Sequence, residues 1–371
     1  MHVDEVELRV IRIPLRTPFK TSFGVETERV VVLATVRSDG IEGYGEGVMD
    51  PLPAYREETI AGALQVLRNA LVPDLLLNGA EHPDQLARRW GRWRGNPMAK
   101  TTLELAVWDC HARQLDVPLY TLVGGSIDPS LGGVAVGASL GMNSIPQTLD
   151  SVSVHVAQGY RRIKLKIEPG WDVELLAAVR DRHPDIELTV DANSAYTLHD
   201  IGVLREIDEF GLHYIEQPLH WDDLTDHAAL APQLKTAICL DETLTSPERT
   251  RAALDLRACS VVNVKVGRVG GLAAVQQISD LCVSRNVPMW CGGMLETGIG
   301  RAHNIHIATM PGFVYPGDTA SASRTFERDV TEQQLEATDG IMPVPGGAGI
   351  GVTLDRVFLD SLTESVEVIR Q

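Results

Sequence analysis

The chain has 371 residues, 44% of them hydrophobic and 22% charged, which is typical of a soluble globular protein with a barrel and a second, smaller domain. A formal net charge of −17 argues against nucleic-acid binding, because that function needs a basic face. The sequence has no run of about twenty apolar residues, no secretion signal and no close pair among its five cysteines, so we expect a cytoplasmic protein with reduced thiols and no membrane contact.

Residues 1–125 combine strand and helix patterns without a regular repeat. Residues 6–13 alternate like a strand, and residues 30–37 and 41–45 predict a hairpin around the turn at Ser38-Asp39-Gly40. Helical patterns follow at about 55–71, 82–94 and 99–115. We therefore expect a separate N-terminal domain of strands and helices.

Residues 126–320 alternate strand and helix patterns, as parallel strands joined by crossover helices do. The expected first strand is 133–137, the seventh is 287–291 and the eighth is 312–315. This part of the chain predicts an α/β barrel. Residues 321–371 contain two prolines and several glycines, and we expect them to pack back on the N-terminal domain.

Five ionisable residues recur near the ends of successive strand-like runs, at steps of 25, 25, 25 and 24 residues. They are Lys166, Asp191, Glu216, Asp241 and Lys265. One strand and its return helix have about this length, so each residue returns at the same height of a parallel barrel. Because side chains alternate between the two faces of a strand and the neighbours of these residues are mostly apolar, all five are predicted to point into one interior.

The three acids predict a site for a hard divalent cation. Carboxylate oxygens from neighbouring strands suit Mg²⁺, with positions left open for water or substrate oxygens, and Mn²⁺ or Co²⁺ can substitute for it. Each acid taken alone is better explained as a helix cap or as the partner of a surface lysine, but three acids in register favour the metal. Asn193 and Glu242 are candidates to support these acids, and each can equally be a loop residue that satisfies its own backbone.

Lys166 and Lys265 flank the acids and are candidate general bases. Beside a divalent cation, burial and positive neighbours are expected to lower the pKa of both amines, which allows an amine to accept a proton near neutral pH. Lys164 lies one pleat deeper on the same face, where neutralising the acids is as plausible as a direct catalytic role. For all three lysines the alternative is a charge-balancing network around the cation.

Two further regions offer candidate substrate-contacting residues. Paired glycines after the seventh strand let a ligand approach the backbone, although a simple turn also uses glycine. The candidates there are Gly292, Gly293 and Met294. In the N-terminal domain, two segments could form lid loops over the barrel mouth, although most aromatic loops have no such role. The candidates in them are Phe19, Phe23 and Tyr55.

Taken together, these motifs resemble those of the enolase superfamily, specifically its muconate-lactonising subgroup, with a Lys-x-Lys on the second barrel strand and a base lysine on the sixth. The resemblance extends over nearly the whole chain. The segment 292–298, Gly-Gly-Met-Leu-Glu-Thr-Gly, is similar in particular to that of N-acylamino acid racemases and o-succinylbenzoate synthases. The matching motifs are Lys164-Leu165-Lys166, Asp191-Ala192-Asn193, Ile215-Glu216-Gln217-Pro218, Leu240-Asp241-Glu242 and Asn263-Val264-Lys265.

The resemblance implies a modified (β/α)₇β TIM-like barrel with an N-terminal α+β capping domain. Lid loops of that domain are then expected around residues 18–26 and 48–58. It also implies a small-molecule carboxylate as the substrate and a homo-oligomer as the assembly.

The implied chemistry is proton abstraction next to a carboxylate. Mg²⁺ on Asp191, Glu216 and Asp241 is expected to bind the substrate carboxylate and to stabilise the enediolate that forms when the α-proton leaves. Lys166 and Lys265 are then the two bases, one on each face of the substrate. The expected activity is racemisation of N-acylamino acids, in particular N-succinylamino acids.

Other activities use the same scaffold. The main alternative is o-succinylbenzoate synthase, a syn dehydration in menaquinone biosynthesis, with Lys166 as acid and base and Lys265 stabilising the intermediate by its charge. One site can serve both reactions. Muconate cycloisomerisation keeps the same lysines, and dipeptide epimerisation needs two acids near the eighth strand, where only Asp318 is present. A barrel that binds a metal–carboxylate complex without turnover needs neither base.

Overall fold

The computed structural model describes residues 1–21 and 24–371, so Phe23 lies outside the described residues. The strands form a four-stranded antiparallel sheet, a seven-stranded parallel sheet and a two-stranded antiparallel sheet. In chain order they are β1 (Glu5–Thr21), β2 (Gly24–Ser38), β3 (Ile41–Gly47), β4 (Gly133–Ala135), β5 (Ala138–Leu140), β6 (Arg162–Lys166), β7 (Glu187–Asp191), β8 (Tyr214–Glu216), β9 (Ala237–Leu240), β10 (Val261–Val264), β11 (Met289–Cys291), β12 (Ile341–Pro343) and β13 (Thr363–Arg370).

Helices connect most of these strands. In chain order they are α1 (Ile60–Val66), α2 (Val72–Asn78), α3 (Asp84–Trp90), α4 (Pro97–Gln114), α5 (Leu119–Leu122), α6 (Ile145–Ala157), α7 (Val173–Arg182), α8 (Ile201–Asp208), α9 (Thr225–Leu230), α10 (Pro247–Asp255), α11 (Val266–Val269), α12 (Leu272–Ser284), α13 (Gly298–Ile307) and α14 (Arg356–Ser361). A π-helical segment, Leu67–Leu71, joins α1 to α2.

The helical run Ile60–Asn78 is long and apolar enough, by length and composition, to cross a membrane. It also carries polar residues within its length, and its inner face packs into the core of the N-terminal domain. Leu67, Leu71 and Leu75 on that face are fully buried. In this structure the run is a core helix.

The N-terminal sheet has the strand order β13-β1-β2-β3, so the C-terminal strand joins it beside β1. The predicted hairpin is present, and Asp39 and Gly40 at its turn have φ values of 51° and 78°. Glycine on β3 lets α4 lie directly against the strand. A Cβ atom at Gly43 would stand 2.2 Å from the backbone nitrogen of Cys110, so a larger residue there would push the helix away.

The parallel sheet has the order β5-β6-β7-β8-β9-β10-β11, which confirms the predicted α/β barrel. The segment 312–317 connects the two edges of this sheet. Phe313 bridges to Met289 of β11, and Gly317 bridges to Val136 just before β5. The sheet thus curls into a modified TIM-like barrel beside an N-terminal α+β domain.

Two strand predictions were wrong in detail. The stretch expected as the first strand, 133–137, contains β4, which pairs with β12 in the small antiparallel sheet, and the first barrel strand is β5. The expected eighth strand makes only isolated bridges. Short apolar runs next to glycine carry the same pattern in either sheet, so the pattern alone does not identify the partner strand.

The predicted alternation in the barrel strands is present. Ile163 and Leu165 of β6 are 0% and 1% exposed and pack in the main apolar core, whereas Lys164 and Lys166 face the barrel interior side. Lys166 pairs in register with Asp191, and Asp191 pairs with Glu216 on the next strand. Strand register alone therefore places these charged residues side by side at the carboxyl end of the sheet.

Two buried carboxylates of the N-terminal domain cap helices of the barrel. Glu46 accepts hydrogen bonds of 2.9 Å from the backbone N–H groups of Thr297 and Gly300, at the start of α13. Glu104 accepts one of 2.7 Å from the N–H of Leu272, at the start of α12. A carboxylate at a helix start satisfies free N–H groups and interacts favourably with the helix dipole. These contacts fix the N-terminal domain on the barrel.

Candidate active site

A cavity of about 1040 Å³ lies where the barrel strands end, beneath the N-terminal domain. Ligands of α/β barrels bind at this end of the strands. Both domains form its wall. The residues that line it include Phe19, Arg29, Asp50 and Tyr55 of the N-terminal domain and Ser139, Lys164, Lys166, Asp191, Asn193, Lys265, Gly293, Met294 and Asp318 of the barrel.

Lys166 occupies one side of this cavity. Its ammonium group donates hydrogen bonds to Oδ2 of Asp191 at 2.6 Å and to Oδ1 of Asn193 at 2.7 Å. Asn193 also donates from its backbone to Oδ1 of Asp191 at 3.0 Å and from its side chain to Oε1 of Glu242 at 2.8 Å. Asn193 therefore connects Lys166, Asp191 and Glu242 by hydrogen bonds.

Lys265 occupies the other side, directly before α11. Its ammonium group donates to Oδ2 of Asp241 at 2.7 Å and to the hydroxyl of Tyr55 at 3.1 Å. Arg268, which is fully buried, forms an ion pair with Asp241 and donates to the same hydroxyl at 3.1 Å. Tyr55 thus reaches from the N-terminal domain to a candidate base of the barrel.

Lys164 lies between the acids. Its ammonium group is 2.9 Å from Oε2 of Glu216, 2.7 Å from Oδ2 of Asp318 and 3.5 Å from Oδ2 of Asp191. Arg162 forms a second ion pair with Asp318, at 2.5 Å. Lys164 is 3% exposed and bonded to carboxylates, which favours the charge-neutralising role over a direct catalytic one.

The pKa values of the acids shift in opposite directions. Burial raises the pKa of Asp191, but Lys166 and Lys164 outweigh burial, so that the pKa is lowered. Burial and the neighbouring charge of Asp191 raise the pKa of Glu216. A cation bound between buried carboxylates reduces the repulsion between their negative charges.

The pKa of Lys265 is raised in this structure, whereas the sequence predicted a lowered pKa for a lysine beside a bound divalent cation. Burial does lower the pKa of this amine, but Tyr55, Glu242 and Glu216 outweigh burial and raise it above its ordinary value. The pKa of Lys164 is raised in the same way, by Asp318 and Glu216. Strand alternation indicated the burial of these amines but gave no measure of how close the carboxylates would lie.

The donor set fits a hard divalent cation. Asp191, Glu216 and Asp241 are at most 1% exposed, and oxygen donors of this kind suit Mg²⁺. Oε2 of Glu242, beside them, is buried without a hydrogen-bond partner. Among residues 1–21 and 24–371, no three His, Cys, Asp or Glu side chains converge as metal ligands, and each of the three acids accepts a hydrogen bond from a lysine.

The glycine-rich segment after β11 adjoins the site. A Cβ atom at Gly292 would stand 2.2 Å from Oδ1 of Asn263 and 2.8 Å from Cγ of Lys265, so glycine lets this segment pack against the base. Gly293 and Met294 line the cavity, whereas Gly292 is not among the described residues that line it. Two of the three candidates in this segment, Gly293 and Met294, are therefore on the cavity wall.

The sequence did not single out several cationic residues of the cavity region, among them Arg162, Arg268 and Arg324. Arg162 could have been predicted from the sequence, because alternate residues of a strand share a face and Arg162 therefore shares the face of Lys164 and Lys166. Arg268 lies three residues after Lys265, one helical turn along α11, and its buried ion pair depends on that turn being a helix. Nothing in the local sequence pattern indicated Arg324.

Two family patterns match the chain. The pattern described as mandelate racemase / muconate lactonizing enzyme, N-terminal domain, matches residues 5–124, and the pattern described as enolase C-terminal domain-like matches residues 148–357. Among solved structures, a member of the enolase superfamily from Listeria innocua superposes with a TM-score of 0.96, at 38% identity, over 100% of this chain and 99% of that one.

Two relatives of different activity match over the full length. The N-succinylamino acid racemase of Thermus thermophilus is 50% identical over 98% of both chains. The o-succinylbenzoate synthase of Geobacillus kaustophilus is 46% identical over 100% of this chain and 98% of its own. The resemblance noted in the sequence is therefore confirmed, and the chain is an enzyme that belongs to the enolase superfamily.

Proposed function

We propose that this enzyme is a divalent-metal-dependent racemase of N-succinylamino acids that uses Lys166 and Lys265 as paired bases. One observation carries the proposal: the two lysines line one cavity, and each is held by a different acid of the barrel, Lys166 by Asp191 and Lys265 by Asp241. A substrate bound between them meets one amine on each face. The 50% identity to an N-succinylamino acid racemase supports the same conclusion.

Racemisation needs one amine in each protonation state. A neutral amine on one face removes the α-proton, and the protonated amine on the other face returns a proton to the same carbon. The reverse reaction exchanges the two roles. Carboxylates beside both amines stabilise the protonated states, and Asn193 and Tyr55 orient the amines by hydrogen bonds.

Enzymes of the enolase superfamily depend on a divalent metal ion. In this chain Asp191, Glu216 and Asp241 would hold it, and we propose Mg²⁺ because the donors are carboxylate oxygens. When bound, the ion supplies positive charge next to the substrate carboxylate and so makes the α-proton more acidic. Asn193 and Glu242 keep these acids oriented.

The cavity is covered in a way that suits this chemistry. Phe19 and Tyr55 of the N-terminal domain line it opposite the barrel residues. Water excluded from such a site cannot compete for the protons or weaken the electrostatic interactions. We propose that the segments around these two residues act as lids, in a cytoplasmic enzyme that forms a homo-oligomer.

A second candidate function is o-succinylbenzoate synthase activity. The Geobacillus kaustophilus relative with this activity matches the chain almost as closely as the racemase does. In this reaction Lys166 acts as acid and base on one face, and the charge of Lys265 stabilises the intermediate. Both functions use the same residues, so the cavity can serve both.

A single comparison separates the two functions. The enzyme is incubated in D₂O with Mg²⁺ and an N-succinyl-L-amino acid and, in parallel, with the cyclohexadiene precursor of o-succinylbenzoate, and kcat/KM is measured for each. Deuterium incorporation with inversion, at the higher efficiency, supports the racemase. Efficient dehydration with slow racemisation supports the synthase. Absence of metal-dependent exchange and of dehydration would contradict both.

A further inference from the structure

Arg324 lies on the wall of the cavity. It follows β11 and α13 in the chain, within the 3₁₀ turn Ala322–Arg324, and its side chain donates a hydrogen bond of 3.3 Å to the backbone oxygen of Ser139 on β5. Its guanidinium group stands 5.7 Å from the centre of the Tyr160 ring. Burial lowers the pKa of Arg324, which indicates a poorly hydrated charge.

Arg301 of α13 is the second cation at this end of the cavity. It is 5% exposed, and it donates to the backbone oxygen of Glu296 at 3.3 Å and to the hydroxyl of Thr325 at 3.2 Å. Its Nε atom is buried and has no hydrogen-bond partner. These neutral contacts, together with a hydrogen bond to the backbone oxygen of Ala320, hold the position of Arg301 without neutralising its charge.

These two arginines differ from the other cations that line the cavity. Lys164, Lys166, Lys265, Arg16 and Arg29 each form an ion pair with a carboxylate. Within the part of the chain that the structure describes, neither of the two arginines forms an ion pair. Nearby carboxylates are engaged elsewhere, since Asp318 bonds to Arg162 and Lys164 and Glu336 bonds to Ser323.

Arg301 is buried and Arg324 is partly buried, and a guanidinium group withdrawn from water without a counter-ion is costly. A ligand carboxylate relieves that cost with two parallel hydrogen bonds. The chain has a net charge of −17, so two positive side chains without a carboxylate partner are unusual in its cavity. An anionic ligand explains why they are there.

The distance between Arg324 and the candidate bases also suits such a ligand, because Arg324 contacts Ser139. Ser139 pairs in register with Lys164, two residues before Lys166. The spacing between adjacent strands and the rise of two residues along a strand together place the Cα atoms of Ser139 and Lys166 roughly 8 Å apart.

We propose that Arg324, supported by Arg301, binds the free terminal carboxylate of the succinyl group of the substrate. The inference rests on the proposed function and names the residue that selects its acyl group. A succinyl group is roughly 4 to 5 Å long, so it can extend from the reacting centre at the lysines to this end of the cavity. N-succinylamino acids and o-succinylbenzoate both carry this group, so one guanidinium serves both candidate reactions.

The test compares substrates that differ only in the terminal carboxylate. Racemisation of N-succinyl-L-phenylalanine and N-acetyl-L-phenylalanine is measured for the wild type, Arg324→Met, Arg324→Lys and Arg328→Met. Arg328 is the matched control, because it lies four residues away, pairs with Asp355 and does not line the cavity among the described residues. We expect Arg324→Met to lower kcat/KM for the succinyl substrate by about 10- to 100-fold, mainly through KM, and to leave the acetyl substrate unchanged.

Arg324→Lys keeps the charge but loses the planar fork, so its loss should be smaller. Arg328→Met should change neither substrate. An equal loss for both substrates in Arg324→Met would show a structural role and overturn the inference, as would an unchanged preference for succinyl over acetyl.

A binding measurement separates this inference from the proposed function. Isothermal titration calorimetry with o-succinylbenzoate and with 2-acetylbenzoate, which lacks the terminal carboxylate, requires no turnover. We expect Arg324→Met to weaken the first about 10- to 100-fold and the second not at all. If wild-type enzyme binds both compounds equally, the inference is wrong even where catalysis is observed. If wild-type enzyme binds o-succinylbenzoate more tightly than 2-acetylbenzoate, Arg324→Met removes this difference, and no substrate is turned over, then the proposed function fails and the inference stands.

Discussion

The hydroxyl of Tyr55, in the N-terminal domain, accepts a hydrogen bond of 3.1 Å from the ammonium group of Lys265, in the barrel. The same ammonium group lies 4.7 Å from the centre of the Tyr55 ring, and Arg268 donates to the same hydroxyl. A segment outside the barrel therefore fixes the position of a candidate base within it. If Lys265 is a base as proposed, the position of the N-terminal domain on the barrel affects catalysis.

Tyr55→Phe tests this connection, because it keeps the ring and removes the hydroxyl. We expect kcat of racemisation to fall about 10-fold, with a smaller change in KM, since a hydrogen bond to a charged group contributes about 1.5–3 kcal/mol. Tyr44→Phe is the matched control, because the Tyr44 hydroxyl bonds to Glu42 and lies outside the cavity. An unchanged kcat in Tyr55→Phe would contradict the proposed positioning.

Single replacement of each lysine tests the two-base assignment. We expect Lys166→Ala and Lys265→Ala each to lower racemisation by about 10²- to 10⁴-fold, the usual contribution of a general base. Each variant should still exchange the α-proton of one enantiomer with D₂O, and the two variants should retain opposite enantiomers, which proton NMR measures. Calorimetric Mg²⁺ binding should persist in both.

The exposed Lys235, whose ammonium group pairs with Glu209 at the surface, provides the control Lys235→Ala, with activity unchanged. Undiminished racemisation in Lys265→Ala would exclude the two-base mechanism. Loss of Mg²⁺ binding in either variant would instead assign the lysine to the charge-balancing network.

The features that the sequence predicted correctly depend on local periodicity. Alternation along β6 placed Lys164 and Lys166 on the side opposite Ile163, and the 25-residue step placed Asp191 in register with Lys166. Neither inference requires knowledge of contacts between distant parts of the chain. The barrel, the acids that face its interior and the lysines on either side of them can therefore be deduced from the sequence alone.

The features that the sequence did not predict depend on distances between elements. The pKa of Lys265 is raised because Tyr55, from another domain, and two carboxylates lie close to it. The partners of Arg268 and the position of Arg324 likewise follow from the packing of loops that carry no periodic pattern. Burial can be predicted from a strand pattern, but the partners of a buried charge cannot.

The buried ion pair of Arg268 and Asp241 makes a prediction about stability. Arg268 is 0% exposed and also donates to the backbone oxygens of Leu244 at 2.8 Å and Asn263 at 2.6 Å. Arg268→Met should lower the free energy of unfolding by about 3–5 kcal/mol, because it leaves Asp241 as a buried charge with one partner fewer. Urea titration at neutral pH measures this.

The control for Arg268→Met is Arg285→Met, which removes a surface pair with Asp255 and should cost about 0–1 kcal/mol. Equal losses in the two variants would show that the buried pair has no special contribution. Arg268→Met should also reduce activity, since Arg268 and Lys265 share Asp241 and Tyr55 as partners.

His303 of α13 makes a prediction about acid stability. Its Nε2 lies 2.8 Å from the backbone oxygen of Tyr44, across the contact between the domains, and its Nδ1 is buried without a partner. Burial lowers the pKa of His303 to about 4. Between the ordinary histidine pKa of about 6.5 and this value, the unfolded chain binds a proton that the folded chain does not. His303 therefore stabilises the fold fully above about pH 6.5, and this contribution is lost as the pH falls toward 4.

His303→Gln keeps a donor for the Tyr44 carbonyl but cannot titrate. Relative to this variant, the wild type should lose about 3 kcal/mol of unfolding free energy between pH 7 and pH 4, since one pKa unit corresponds to about 1.4 kcal/mol. Urea unfolding at several pH values measures the difference, with His199→Gln at an exposed position as the control that should leave the pH dependence unchanged. A constant difference between wild type and His303→Gln across this range would mean that His303 protonates in the folded state as readily as in the unfolded one, so that the contact between the domains admits the charge.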